Sequence, residues 1–230
     1  MPDGARIERV ERDGRVCWLK RRERRSLRWR LQKGGAGTFE AERAALEALG
    51  AAGLAVPEVI EAGADYLLLS DCGETLARML RRARPPDLRR AAFAAAGQGL
   101  AAFHAAGYAH GRPSLRDICY RDGTARFIDF ERYSPRRNTP RGFRNDLVLF
   151  VFSLHANAGP CAPEIAAATD AYRAAAPPQV WSSASRLARR LRWLAPLAAP
   201  LAWREARRKP RRVSREFAAL APTLRYLAER

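Results

Sequence analysis

The patterning of the chain changes character near residue 75, and this change limits the folds open to it. Before it, residues 6–20 alternate polar and apolar side chains on either side of Asp13-Gly14, a dipeptide suited to the two left-handed positions of a type I′ hairpin turn. The second strand, Val16-Cys17-Trp18-Leu19, ends at Lys20. A basic segment and Gly34-Gly35-Ala36-Gly37 follow. A helix is then expected over roughly 39–50, with Phe39, Ala45, Leu46 and Leu49 on one face and Gly50 and Gly53 as its stop. Val56 to Ile60 and Tyr66 to Leu69 read as short strands, the second reaching a turn at Asp71-Cys72-Gly73.

Beyond that turn the chain is Ala/Leu/Arg-rich and helical. Thr75–Arg84 and Leu88–Ala106 are expected helices, separated by Pro85-Pro86. A loop with strands near Ile118-Cys119-Tyr120 and Phe127-Ile128 follows, turned by Asp122-Gly123, and helices are expected from Asp146 onward. The order implies an α+β chain: a small strand-rich unit over 1–72, and a helical unit over 73–230 that carries a loop-and-hairpin insert at 108–131. Hydrophobic residues at 47% against 29% charged are enough to bury a core and exclude wholesale disorder.

Charge narrows the partners. There are 42 basic and 24 acidic residues, a net of +18, and the only lysines are Lys20, Lys33 and Lys209. Residues 20–33 hold eight basic residues and one acidic; residues 181–216 hold eleven and two. Such clustering favours phosphate-rich partners: anionic lipid, lipopolysaccharide or nucleic acid. Nucleic acid ranks lower, because no RNA- or DNA-binding pattern accompanies the charge. Cys17, Cys72, Cys119 and Cys161 form no C-x-x-C pair, so neither a zinc site nor a disulfide framework is expected. The N-terminus lacks the apolar core of a secretory signal, and Leu147–Leu154 is too short an apolar run to span a bilayer. The expected compartment is the cytoplasm, with peripheral contact at the inner face of the inner membrane.

Chemistry concentrates in two stretches. One is Tyr108-Ala109-His110-Gly111-Arg112-Pro113-Ser114-Leu115-Arg116-Asp117-Ile118; the other is Phe127-Ile128-Asp129-Phe130-Glu131. An aspartate ending a buried apolar strand is costly unless it meets a cation or donors. Asp117, returned toward Asp129 by the Asp122-Gly123 turn, makes a pair of hard oxygen ligands suited to Mg²⁺ carrying substrate phosphates. A hairpin with two capping aspartates satisfies the same residues.

The ordered set resembles the protein-kinase-like superfamily, in particular the bacterial lipopolysaccharide core and Kdo kinase group with its small-molecule-kinase and RIO-like relatives. The matching residues are Lys20 at a strand end, Glu42 on the following helix and a hinge-like Leu69 to Gly73. Phe103-His104-Ala105-Ala106-Gly107 before His110, Asp129-Phe130-Glu131 in place of Asp-Phe-Gly, and Asp146 opening an apolar helix complete it. The resemblance covers about residues 5–155 and implies a two-lobe fold with a reduced N-terminal β lobe and a helical C-terminal lobe. It further implies that Lys20 binds ATP phosphates, that Glu42 holds that lysine, and that Asp71 lies in the nucleotide hinge. Asp129 and Asp117 would take Mg²⁺, His110 would buttress the loop, and Asp146 would support it from below. Read singly, Lys20 is the first of a basic run and Glu42 part of a solvated helix face.

Two departures qualify the likeness. Arg112 stands where such kinases carry a catalytic-base aspartate. A guanidinium only donates and keeps its proton up to a pKa above about 12, so Arg112 cannot serve as base. It could grip a transferring phosphate instead. Either Asp117 acts as both base and ligand, or transfer proceeds without a base, or the chain is a pseudokinase serving as a binding module at a membrane or partner. No Gly-rich phosphate loop fits before Lys20, which implies weaker ATP affinity.

The basic stretches have their own pattern. Residues 24–33 interleave Leu27, Trp29 and Leu31 with arginines, as in an edge strand or a surface-lying segment. In 181–204, Leu187, Leu191 and Leu194 share a helix face while Arg189, Arg190 and Arg192 lie elsewhere. Pro196 and Pro200 are expected to break this helix. It is either an ordinary packed helix with solvated arginines or a platform for anionic lipid. The leading expectation is an atypical kinase that moves the ATP γ-phosphate to a hydroxyl of a lipopolysaccharide core sugar. The others are the pseudokinase module and an RNA-associated kinase-like protein.

Overall fold

The computed structural model describes residues 7–22, 37–159, 162–208 and 216–230. Residues 24–33 with Leu27, Trp29 and Leu31, the Gly34-Gly35-Ala36 run and Cys161 lie outside them. The architecture is α+β. Strands β1 (Ile7–Arg12), β2 (Arg15–Arg21), β3 (Val59–Ala62) and β4 (Tyr66–Ser70) form an antiparallel sheet in the order β1-β2-β4-β3. Arg12 pairs directly with Arg15, so Asp13 and Gly14 are the two-residue turn, at φ 50° and 70°. This is the I′ geometry the dipeptide demands.

Helix α1 (Gly37–Ala51) buries Phe39, Ala45, Leu46 and Leu49, the face read from spacing. Its 3.6-residue period also turns Glu42 inward. A second antiparallel sheet joins β5 (Glu74–Thr75), β6 (Ile118–Arg121) and β7 (Thr124–Phe127). The Asp122-Gly123 turn appears as expected, but β5 was not foreseen: two residues carry no period. Between them run α2 (Leu76–Arg81) and α3 (Pro86–Ala105). Thr75 caps α2 by accepting from the Arg78 amide at 3.3 Å. The helix stops before the expected Arg84 because Ala83 turns left-handed at φ 45°.

The rest of the described chain is helical: α4 (Pro140–Ala158), α5 (Pro163–Ala175), α6 (Pro178–Leu191), α7 (Ala195–Arg208) and α8 (Glu216–Glu229). Helix α4 starts before Asp146, with Thr139 as its N-cap accepting from Gly142 N–H at 3.1 Å. The helix expected over 181–204 is interrupted, by a 3-10 turn at Arg192–Leu194 just before Pro196, but the break expected at Pro200 is corrected. Pro196 sits in the first turn of α7, where its missing N–H costs nothing. Pro200 lies one turn further in, and only the hydrogen bond to the Pro196 carbonyl is lost there.

Helix α3 packs most extensively on α5. A Cβ on Gly97 would sit 1.9 Å from the Ala168 carbonyl oxygen, so the bare glycine sets how closely the two helices approach. Arg89 Nε meets the buried Glu164 Oε1 at 2.9 Å across the same contact. One apolar cluster runs from Phe39, Leu49 and Leu67 through Phe93, Phe103 and Phe127 to Phe150, Tyr172 and Leu227. The Phe127 amide donates to the Ala55 carbonyl at 2.9 Å, tying the second sheet to the loop after α1.

Candidate active site

Five separate segments converge on one cluster of charge. Lys20, on the interior strand β2, is 8% exposed, and its Nζ donates to both oxygens of Glu42 on α1, at 2.6 and 2.5 Å. Glu42 is 2% exposed. Burial raises its pKa from the ordinary carboxylate value, and the Lys20 ammonium opposes that shift. A buried pair like this holds only because each charge answers the other. Lys20 Nζ also lies 3.9 Å from Glu131 Oε1, which brings α1 and β2 to the turn that follows β7.

Asp129 opens that turn with a left-handed backbone, φ 65° and ψ 65°. A non-glycine residue keeps such a conformation only where its surroundings over-determine it, as functional sites often do. Phe130, next to it, is buried against Phe103 and His110, with ring centroids 6.1 and 4.7 Å away. Asp129 Oδ1 is buried and has no hydrogen-bond partner among the described residues. Its Oδ2 faces Arg112 Nη2 at 3.6 Å.

Asp117 approaches from the other side. Its carboxylate accepts from Ser114 Oγ at 2.6 Å and lies 4.0 Å from Arg112 Nη2. Its carbonyl accepts from the Ile128 amide at 2.9 Å, which brings the loop into register with Asp129. Burial pushes the Asp117 carboxyl up to about 6; the Ser114 hydrogen bond pulls it down and the Asp129 charge adds to the rise. Arg112 thus lies beside both carboxylates.

The loop itself rests on Asp146. Its carboxylate accepts from the His110 amide at 2.5 Å and from the Gly111 amide at 3.0 and 3.2 Å. Gly111 has φ 97°, and a Cβ there would lie 2.6 Å from the Arg132 carbonyl oxygen. His110 is buried, which lowers its pKa and keeps it neutral. Nε2 donates to the Ile128 carbonyl at 3.1 Å and Nδ1 accepts from the Arg112 amide at 3.4 Å. That pattern assigns the Nε2–H tautomer and commits both ring nitrogens to backbone.

Asp71 stands apart from this cluster in its contacts. It accepts from Trp18 Nε1 at 2.8 Å, the Gly73 amide at 3.2 Å and Arg121 at 2.8 Å. It pins β2, the segment after β4 and β6 to one another. Ser114, Gly111 and Glu131 belong to the site although sequence reading gave them no role. The Ser114-x-x-Asp117 spacing, a hydroxyl three residues before a carboxylate, was the available signal for the first. Burial pushes the thiols of Cys72 and Cys119 up to about 11 and about 12, so both are protonated and unreactive at neutral pH.

Among the described residues no group of three or more His, Cys, Asp or Glu side chains could hold a metal ion. Asp117 and Asp129 do fit a magnesium ion that takes its other ligands from water and substrate phosphates, because one or two carboxylates are the usual protein share. The orphaned Asp129 Oδ1 is the observation that favours this fit. No helix among the described residues is long and apolar enough to cross a membrane.

No protein-family model matches the chain. It is similar to an uncharacterized protein of Haemophilus influenzae, 29% identical over 151 residues. The match covers 65% of this chain and 62% of that protein, so the chain spans less than two thirds of its relative's length.

Proposed function

We propose that this chain is a kinase-like phosphotransferase of two lobes that moves the γ-phosphate of ATP to a hydroxyl, with a lipopolysaccharide core sugar as acceptor. The observation that carries the reading is the convergence of the buried Lys20–Glu42 pair with the left-handed Asp129 and its orphaned Oδ1. Nothing in a solvated basic run or a capping hairpin calls for a buried lysine clamped by both oxygens of a helix glutamate.

In this reading Glu42 keeps Lys20 charged and oriented toward the nucleotide's α- and β-phosphates. Asp129 and Asp117 would hold Mg²⁺, which would neutralise phosphate charge when bound. Arg112 offers donors to the transferring group. The acceptor oxygen forms its bond to the γ-phosphorus as the bond to the bridging oxygen of ADP breaks. Positioning and charge neutralisation carry such a transfer, so its proton leaves to water without a dedicated base. Asp146, through His110 and Gly111, holds Arg112 and Asp117 in place. The acceptor class rests on the family resemblance and on the net charge of +18.

One observation favours a second reading. Arg112 lies 3.6 and 4.0 Å from the two carboxylates, so the chain carries its own cation beside the proposed metal ligands. A pseudokinase that binds nucleotide without metal would look like this.

Calorimetric titration of ATP with and without Mg²⁺, on wild type and Asp129→Asn, separates the readings. The phosphotransferase requires Mg²⁺-dependent binding that the substitution weakens by at least about 10-fold, given a charge-assisted ligand worth 1.5–3 kcal/mol. Binding indifferent to Mg²⁺ and without turnover supports the pseudokinase. No binding to wild type at millimolar ATP overturns the phosphotransferase and leaves a pseudokinase that serves as a binding module without nucleotide.

A further inference from the structure

Among the described residues, nothing covers the most hydrophobic side of helix α7. Leu194, just before it, and Ala198 and Ala202 recur every four residues and turn toward the protein, with Ala198 buried and the other two half-buried. The rest of the circumference carries Trp193, Leu197, Leu201 and Trp203, which are 62%, 61%, 44% and 60% exposed. Pro196 and Pro200 are exposed beside them. Had Pro200 broken the helix, these side chains would scatter. Because α7 runs through it, Trp193, Leu197 and Leu201 follow one another every four residues along a rod about 20 Å long, and Trp203 lies about 160° round from Leu201.

The surroundings of this face are cationic. Arg204 and Arg207 are exposed, and the Arg207 guanidinium stacks 4.0 Å from the Trp203 ring centroid. Arg190 and Arg192, in the turns before α7, are exposed. No acidic residue occurs from 178 to 204. A contiguous exposed apolar patch marks an interaction surface. Tryptophans at the rim of an aliphatic stripe, with arginines beside them, are the composition of a helix lying in a lipid interface.

We propose that α7 docks the protein on an anionic phospholipid bilayer. Trp193, Leu197 and Leu201 enter the boundary between headgroups and acyl chains, while Arg190, Arg192, Arg204 and Arg207 meet headgroup phosphates. Charge selects this occupant over the others. A second copy of the chain would set arginine against arginine across a two-fold contact. Nucleic acid would answer the arginines but give Leu197 and Leu201 no apolar partner. The inference does not depend on the phosphotransferase reading, and its test involves no nucleotide.

The test is vesicle co-sedimentation of the full chain. Vesicles with about 30 mol% phosphatidylglycerol are compared with pure phosphatidylcholine, at about 0.05 and 0.5 M salt. Wild type is expected to bind the anionic vesicles and to be largely released by high salt. Leu197→Ser/Leu201→Ser is expected to lower partition by at least about 10-fold, since two aliphatic side chains lose their burial. Arg204→Gln/Arg207→Gln is expected to lower it by about 10- to 30-fold, each arginine being worth on the order of 1 kcal/mol near such a surface. All four side chains are exposed, and circular dichroism melts check that the variants stay folded. Leu88→Ser, an exposed leucine on α3, is the control that keeps binding.

Absence of wild-type binding at low salt overturns the proposal. So does full binding by the leucine variant, which would leave only non-specific charge, the behaviour RNA would also exploit. A dimer in light scattering that Leu197→Ser/Leu201→Ser dissolves, without wild-type vesicle binding, would assign the face to a second copy instead.

Discussion

Lys20 and Glu42 show how a buried charge pair makes a site and endangers a fold at once. Removing one partner strands the other in an apolar setting, which costs about 3–5 kcal/mol, whereas replacing both can be nearly neutral. Glu42→Ala is therefore expected to lower unfolding free energy by about 3 kcal/mol in urea titrations, and Lys20→Met/Glu42→Leu to recover most of it. Equal losses in the single and double variants would show that the pair is solvated. Two other groups set opposing pH dependences. Asp117 has its pKa raised from 3.8 to about 6, so its contribution is fully present below 3.8 and lost as pH rises through about 6. His155 is buried with both ring nitrogens unpartnered among the described residues, and burial lowers its pKa from 6.5 to about 4. Its contribution is present above 6.5 and lost as pH falls toward 4. Each is worth about 3 kcal/mol over the window, and the two largely cancel. Asp117→Asn is expected to raise the metal-free Tm at pH 7.5 by about 6–12 °C and to leave a protein that weakens on acidification. His155→Phe is expected to do the reverse, gaining stability at pH 5. Thermal melts across pH 4–8 check both, and parallel profiles in all three proteins would contradict the assignment.

Helices here are positioned by what they lack as much as by what they carry. Gly97 permits α3 to touch the backbone of α5. Alanine is the better helix former by about 1 kcal/mol, so a helix in isolation would gain from Gly97→Ala. The packed molecule is expected to lose more than about 2 kcal/mol, because the new Cβ has to push α5 backbone aside. A stability gain in chemical denaturation would mean that the two helices are not in contact. The α1 face was legible in the sequence because four apolar residues repeat at helical spacing. Helix α7 was not, since two prolines in five residues outweigh any amphipathic period in a local reading. Whether a proline ends a helix depends on where the first turn falls, and the preceding 3-10 turn at Arg192–Leu194 decides that here.

Taken together, 42 basic residues against 24 acidic make self-repulsion a standing cost of compactness. Raising ionic strength from about 0.01 to 0.15 M shortens the screening length from about 30 to 8 Å. The Tm is therefore expected to rise by several degrees over that range in differential scanning calorimetry, on the order of 1–2 kcal/mol. A flat or falling Tm would mean that the exposed ion pairs, such as Arg22 with Glu40 and Asp65 or Arg121 with Asp71, contribute more than the repulsion they interrupt.

The two Asp-Gly hairpins, the inward face of α1 and the succession of strands followed by helices were set by the amino-acid order alone. Turn dihedrals and side-chain periods are local properties, decided within a few residues. The candidate site was legible only as an ordered list of charged residues, each with an ordinary alternative. What made it a site is contact at long separation. Lys20 meets Glu42 across 22 residues, and Asp146 accepts from Gly111 across 35. Arg112 is brought to Asp117 and Asp129 together. Such contacts follow from how the sheets and helices pack around a shared core, which no local preference encodes. The same packing turned Leu194, Ala198 and Ala202 toward the protein and left the tryptophan and leucine face of α7 outside.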